Sequence, residues 1–208
     1  MRYRRIPDEA VRRLPIYLRG VLFFSEQGLG KVSSQRIAEL LHISSPQIRK
    51  DLSYFGAFGT PGVGYDTRKL AKQIRSILKL DTPNRAALVG LGNLGTALLK
   101  YPGFSAYGLE ISAIFDNDPK KVGKTVKSVK VQDVSKLSTL QKKGITLAII
   151  AVPGPAAQKV ADELVAVGVN GILNFAGYYL DVPKRVKVIS IDIAMDLARL
   201  PYYLPASA

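Results

Sequence analysis

The stretch "ALVGLGNLGTALLKY" constrains this chain more than any other. It places Gly90, Gly92 and Gly95 in a G-x-G-x-x-G pattern between an apolar run, "RAALVG", and an amphipathic one, "NLGTALLKY". In a strand–turn–helix unit the first glycine allows the tight turn. The second lets a pyrophosphate reach the backbone, and the third lets helix and strand pack closely. The helix N-terminus then offers unpaired N–H groups to the phosphates. Leu91, Asn93 and Leu94 belong to the same turn. The next apolar run, "LEISAIF", ends in Asp116, 21 residues past the third glycine, where an acid binds a ribose diol and repels a 2′-phosphate. NAD(H) is the expected ligand. Lys121 either approaches the ribose or phosphate or is solvated. Val152 and Pro153, in "AVPGP", either flank the cofactor or end a strand in a simple turn.

From residue 85 onward strand and helix alternate: "ITLAIIAV", "PAAQKVADELVAVG", "VNGILNF" and "RVKVISID", with "SVKVQ" as a short strand, "VSKLSTLQKKG" as a helix and "AMDLARLPYYL" as the last helix. Near-continuous apolar strands between helices predict a parallel, doubly wound sheet covered on both faces. The fold class expected is α/β, a Rossmann-like domain. It begins at about residue 81, near "DTPNR", far later than such turns usually stand.

The preceding residues read differently. "PDEAVRRLPIYLRGVLFFSEQG" spaces Val11, Leu14, Leu18 and Leu22 for one helix face, with Asp8 as N-cap and Gly28 as stop. "SSQRIAELLHI" follows, capped by Ser33 or Ser34, with Ile37, Leu40 and Leu41 on one face. "SSPQIRKDLSYFGAFG" is capped by Ser44 or Ser45, with Pro46 in the first helical position. Only "HIS" separates these two helices, which predicts a helix-turn-helix whose second member enters the major groove N-terminus first. There Gln47 and Arg49 can pair with base edges, and Ser44, Ser45 and Lys50 with phosphates. "GTPGVGYD" reads as a wing with Tyr65 marking its returning strand, and Gly62 and Tyr65 are expected to contact DNA; "TRKLAKQIRSILKL" is a connecting helix.

Charge agrees with a divided chain. The net charge of +14 is concentrated at the front: residues 1–80 hold 15 Lys/Arg against 6 Asp/Glu, residues 81–208 15 against 10. The front fits a polyanion, against the alternative of a basic solubilising surface. There are no cysteines, which excludes disulfides and thiolate metal sites. No run of about 18 apolar residues predicts a membrane span, and "MRYRRIPDEAVRRLP" lacks the features of a signal peptide. A cytoplasmic protein is expected, without membrane or metal.

Catalytic groups are scarce. The only histidine, His42, falls in the turn between helices, and the only Tyr-x-x-x-Lys pair, Tyr65 and Lys69, precedes the fingerprint. A dehydrogenase needs an acid or base beside the hydride site, and an acyl-CoA ligase a histidine in the second half. The expectation is not an enzyme but a module that reads its cofactor. A NADH-using enzyme and a DNA binder indifferent to NADH are the other readings.

"QIRKDLSYFGAFGTPGVGY", "GLGNLG", "FDNDPKKVGK", "AVP", "GILNFA" and the "ID" before the closing helix together resemble the redox-sensing transcriptional repressor Rex family, across essentially the whole chain. The resemblance implies a winged-helix DNA-binding domain (residues 1–80), a Rossmann NAD(H)-binding domain (81–190) and a swapped C-terminal helix and tail (191–208) in a homodimer. It implies operator DNA as partner, NADH as ligand with NAD+ competing, and release of DNA when NADH binds. It also implies three switch residues: Arg13 in Arg-Leu-x-x-Tyr-Leu-Arg, Tyr101 in Tyr-Pro-Gly-Phe, and Asp192, which contacts the partner subunit's arginine in one state and its tyrosine in the other. Where some relatives place an aromatic residue beside the nicotinamide, this chain has Ile193.

Overall fold

A computed structural model describes residues 6–204; the first five residues of the basic start and the last four of the C-terminal tail lie outside the described residues. The chain separates into two compact units, residues 1–82 and 83–208.

The first unit runs α1 (Asp8–Glu26), β1 (Lys31–Val32), α2 (Ser34–Leu41), α3 (Ser45–Ser53), β2 (Tyr65–Asp66) and α4 (Thr67–Ile77). Its core gathers Leu14, Tyr17, Leu18, Val21 and Phe24 of α1 around Ile37, Ile48, Leu52, Leu70 and Ile74. Val11 is exposed, so the buried face of α1 is rotated from the one its leucines suggested. It passes through Tyr17, whose hydroxyl is accommodated inside because it donates to Asp51 at 2.6 Å. Pro7, not Asp8, occupies the N-cap; Asp8 is the first helical residue and lends its charge to the positive end of the helix. Pro46 stands one place later than expected, because Ser45 opens α3. The wing is also built differently. Tyr65 and Asp66 pair antiparallel with Val32 and Lys31, before α2, and the glycine-rich loop itself holds only a Thr60–Gly64 bridge.

The second unit has a seven-stranded sheet. Its strands are β3 (Asn84–Val89), β4 (Leu109–Asp116), β5 (Thr125–Val126), β6 (Val129–Asp133), β7 (Leu147–Ile150), β8 (Gly171–Asn174) and β9 (Lys187–Ser190), in the order β5-β6-β4-β3-β7-β8-β9. All pairs are parallel except β5–β6. The order reverses between β3 and β7, where ligands of doubly wound sheets bind. Ala87 and Val89 point to a face covered by α8 (Gly154–Ala166), where Ala157, Ala161 and Leu164 are fully buried. Leu88, Ile114 and Ile149 point the other way, under Leu99 of α5 (Asn93–Lys100) and Phe104 of α6 (Gly103–Ala106). The central strands β3 and β7 are buried on both sides and show no polar alternation. The second face stays partly open beyond α6, where Ile189 of β9 is exposed, so the sheet is less fully covered than its apolar strands suggest.

Two segments expected as single helices are broken. "VSKLSTLQKKG" is a 3-10 turn (Val134–Lys136) followed by the one-turn α7 (Thr139–Lys142). The closing segment is α9 (Ile193–Ala198), then a 3-10 turn (Leu200–Tyr203) containing Pro201, whose ring and missing N–H oppose continuation of the α-helix.

Candidate functional site

The glycine turn leaves β3 at the reversal point. Gly90 has φ +96°, and a Cβ there would lie 2.6 Å from the Ala151 carbonyl oxygen. A Cβ on Gly95 would come within 1.9 Å of the Gly90 carbonyl oxygen, so α5 crosses the turn with no room to spare. Gly92 is different. Its backbone is extended and a Cβ would meet nothing within 4 Å. Neither strain nor packing demands glycine there, so the open space at the first turn of α5 is what the missing side chain provides.

A cleft of about 400 Å³ lies beside this turn, lined by Gly90, Gly92, Asp116, Lys121, Val152 and Pro153. The other four residues expected at the cofactor stand behind or beside it. Leu91 is buried, Gly95 packs on Gly90, Asn93 opens α5 and Leu94 is exposed. Lys159 and Glu163 of α8 also line the cleft and were missed; their one-turn spacing after "AVPGP" was the available signal.

Asp116 organises the floor. One carboxylate oxygen accepts the Leu91 N–H at 2.7 Å and Lys121 Nζ at 3.2 Å; the other accepts the Asp118 N–H at 2.8 Å. Burial pushes this carboxyl up, but the backbone donors and the Lys121 ammonium outweigh it and hold the pKa below its ordinary value. Asp116 is therefore ionised at neutral pH, and it ties the glycine turn to the loop that follows β4. Lys121 is paired with it while its side chain stays partly exposed to solvent.

In the first unit, Ser33 caps α2 by accepting the Arg36 N–H at 3.1 Å, and Ser44 caps α3 by accepting the Gln47 N–H at 3.4 Å. His42 ends α2 in the left-handed conformation, φ +54°, which turns the chain sharply into α3. Ser45 is buried between the helices, where its hydroxyl meets that of Ser34 at 3.2 Å. Arg49 donates to both hydroxyls, reaching Ser34 Oγ at 3.0 Å. Lys50 is exposed, as is Gly62, which takes φ +76° in the wing loop. Tyr65, expected at the DNA, is instead turned inward, 7% exposed, where its ring packs on Gly59 and supports the wing. A second cleft, about 530 Å³, opens between α3 and the wing, with Ser33, Ser34, Arg49, Gly62 and Tyr65 among its lining residues.

Asp51 lies under this surface, 1% exposed. Arg13 grips it bidentately, Nε to Oδ2 at 2.6 Å and Nη2 to Oδ1 at 3.1 Å. Tyr17 Oη donates to Oδ2 at 2.6 Å and Gln47 Nε2 to Oδ1 at 2.7 Å. Burial alone would raise the Asp51 carboxyl; hydrogen bonds from Arg13, Tyr17 and Gln47 outweigh it and hold it low. The hydrogen bond to Asp51 likewise raises Arg13. Of the other two switch residues, Tyr101 ends α5 and lies edge-on to Phe104 at 5.5 Å. Asp192 caps α9 by accepting the Met195 N–H at 3.1 Å. Ile193 follows it, exposed. Among the described residues no cluster of His, Cys, Asp or Glu could hold a metal ion, and no helix is long and apolar enough to cross a membrane.

Comparison with known proteins follows these two units. Residues 5–53 match a family model described as a putative DNA-binding protein N-terminus, and residues 81–177 one described as a CoA binding domain. The chain is 45% identical to the redox-sensing transcriptional repressor Rex of Chloroflexus aurantiacus over 199 residues, 95% of this chain and 94% of that one. It is also 45% identical to the Rex of Brevibacillus brevis, over 98% of this chain and 99% of that one. Among solved structures, RSP in complex with beta-NAD+ and operator DNA matches with a TM-score of 0.89 and 32% identity, covering 96% of this chain and 92% of that one. RSP in complex with beta-NADH matches with a TM-score of 0.86 and 30% identity, covering 95% and 93%.

Proposed function

The chain belongs to the Rex family of redox-sensing transcriptional repressors, and from that premise we propose that it binds operator DNA as a homodimer and is released when NADH occupies its second unit. It is a transcriptional repressor, not an enzyme, and its ligands are operator DNA and NAD+/NADH. The observation that carries the mechanism is the joint presence of two machineries in one chain: a capped helix-turn-helix in residues 34–53, and a glycine turn closed by an ionised, buried Asp116 at the sheet's reversal point.

In this reading residues 1–80 bind DNA, 81–190 bind NAD(H) and 191–208 pass to the partner subunit. The α3 residues Gln47, Arg49 and Lys50 face the DNA, with the capping serines and Gly62 near phosphates. The pyrophosphate lies over Gly92, and the adenosine ribose faces Asp116 and Lys121. The carboxylate of Asp192 chooses between the partner's Arg13, a charge-assisted pair, and the partner's Tyr101, a phenolic hydroxyl. That choice biases a domain arrangement which either spans two half-sites or does not. Because binding is linked, the state that NADH favours must weaken DNA binding by the same coupling free energy, about 1–3 kcal/mol. Repression of this kind places the protein with the DNA, in the cytoplasm.

Two variants test the division of labour. Arg49→Ala is expected to weaken operator binding while NADH fluorescence titration stays unchanged. Asp116→Ala should do the reverse, raising the NADH Kd about tenfold or more, since it removes a charged acceptor. Loss of both ligands in either variant, once its fold is verified by circular dichroism, would contradict the assignment.

A further inference from the structure

The Asp51 cluster points to a way in which this protein reads bases, given the reading of α3 as the recognition helix. Gln47 is one helical turn before Asp51, so the two side chains lie on adjoining parts of one face. An ionised carboxylate can only accept hydrogen bonds, and both Asp51 oxygens are already engaged on the far side by Arg13. Of the Gln47 amide, only the NH2 end can face it, and the 2.7 Å bond from Nε2 to Oδ1 is that contact. The flip of the amide is thereby set. In the inferred orientation the N–H trans to the oxygen is the one spent, which leaves the carbonyl oxygen and the N–H beside it on the same planar group. A side-by-side acceptor and donor is the pair that glutamine presents to adenine N6 and N7 in the major groove.

We propose that Asp51 is a positioning residue for sequence readout: clamped by Arg13 and Tyr17 from α1, it holds the Gln47 amide in one orientation, with its adenine-reading edge free. Asp51 never reaches DNA; its 1% exposure forbids it. Its effect is on which base is chosen. Arg13 thereby acquires a second role, since the guanidinium that fixes Asp51 is the one assigned to the switch.

The test is selection from a pool of duplexes with a randomised central region, followed by sequencing, using the full-length protein without NADH. Wild type should enrich adenine at one position in each half-site by about fivefold to 150-fold over the other bases. Gln47→Ala and Asp51→Ala should both flatten that position while leaving the other positions selective. Tyr17→Phe, which removes a donor to Asp51 without touching Gln47, should keep the preference even if the protein melts earlier. Should Asp51→Ala fail to fold, the triple variant Arg13→Met, Tyr17→Phe, Asp51→Leu replaces the whole cluster by apolar packing, an exchange that often leaves buried ion clusters stable. It too should lose the adenine preference. Retention of that preference in a folded Asp51 variant overturns the inference, as does a loss spread evenly over all positions in Asp51→Ala and Tyr17→Phe alike. A wild-type protein that enriches no sequence would instead overturn the assignment of α3 to DNA reading.

Discussion

Two buried aspartates organise the two sites, and both do so by engaging both of their carboxylate oxygens. Asp116 takes two backbone N–H groups and an ammonium; Asp51 takes a guanidinium, a phenol and an amide. Both are held below the ordinary carboxylate pKa. A carboxyl whose pKa is lower folded than unfolded adds stability that is complete above its unfolded value, near 4, and is lost as pH falls through the folded value. The melting temperature should therefore be nearly level from pH 7 to about 5 and drop steeply below about 4, and an Asp51→Asn variant, already less stable, should drop less. Parallel declines in the two proteins would contradict this. At neutral pH, Asp51→Ala should cost about 3–5 kcal/mol, because it strands a partly buried guanidinium and a buried phenol. Asp116 was legible in the sequence because its place follows from the glycine pattern and one strand. The Asp51 cluster was not, since Arg13 and Tyr17 stand 38 and 34 residues away from it and meet it only once α1 and α3 have packed.

At the scale of elements, the glycine turn makes a prediction that separates packing from ligand contact. Gly95→Ala would drive a methyl into the Gly90 carbonyl, so it should lower the melting temperature markedly, or prevent folding of the second unit. Gly92→Ala meets open space, so it should melt like wild type yet bind NADH more weakly. Equal NADH affinity in Gly92→Ala would remove the pyrophosphate from that position. Helix caps and long apolar strands were readable because their causes are local: a hydroxyl three residues before an N–H, or a run of β-branched residues. The rotated face of α1 and the broken helix at 134–142 were less so. The first depends on a buried tyrosine finding its acceptor, and the second on how a short segment fits beside the sheet. The strands β1 and β5, two residues each, are too short to leave a periodic signal.

At the scale of the molecule, the C-terminal segment has a large apolar surface with little of its own chain against it. Ile193, Leu197 and Tyr202 are 69%, 65% and 87% exposed. Contiguous apolar exposure of this kind marks an interaction site. Exchange of this segment between subunits would bury it, and Asp192 at its head would then reach the partner's Arg13 and Tyr101. Arg13 already has Asp51 as a counter-ion, so in the proposed switch the partner's Asp192 would compete for it. Asp192→Ala should consequently leave operator and NADH binding intact but uncouple them, so that NADH no longer lowers operator affinity. A variant as NADH-responsive as wild type would exclude Asp192 from the switch. The +14 net charge also predicts that operator affinity falls steeply with salt, so each comparison requires one fixed salt concentration.

The most direct measurement is fluorescence anisotropy of the full-length protein on an operator duplex obtained by selection, at fixed salt, titrated separately with NADH and NAD+. A redox sensor releases the duplex with NADH at concentrations where NAD+ leaves it bound. If the duplex stays bound while NADH fluorescence shows the cofactor site filled, the two units are uncoupled and NADH-triggered release is contradicted.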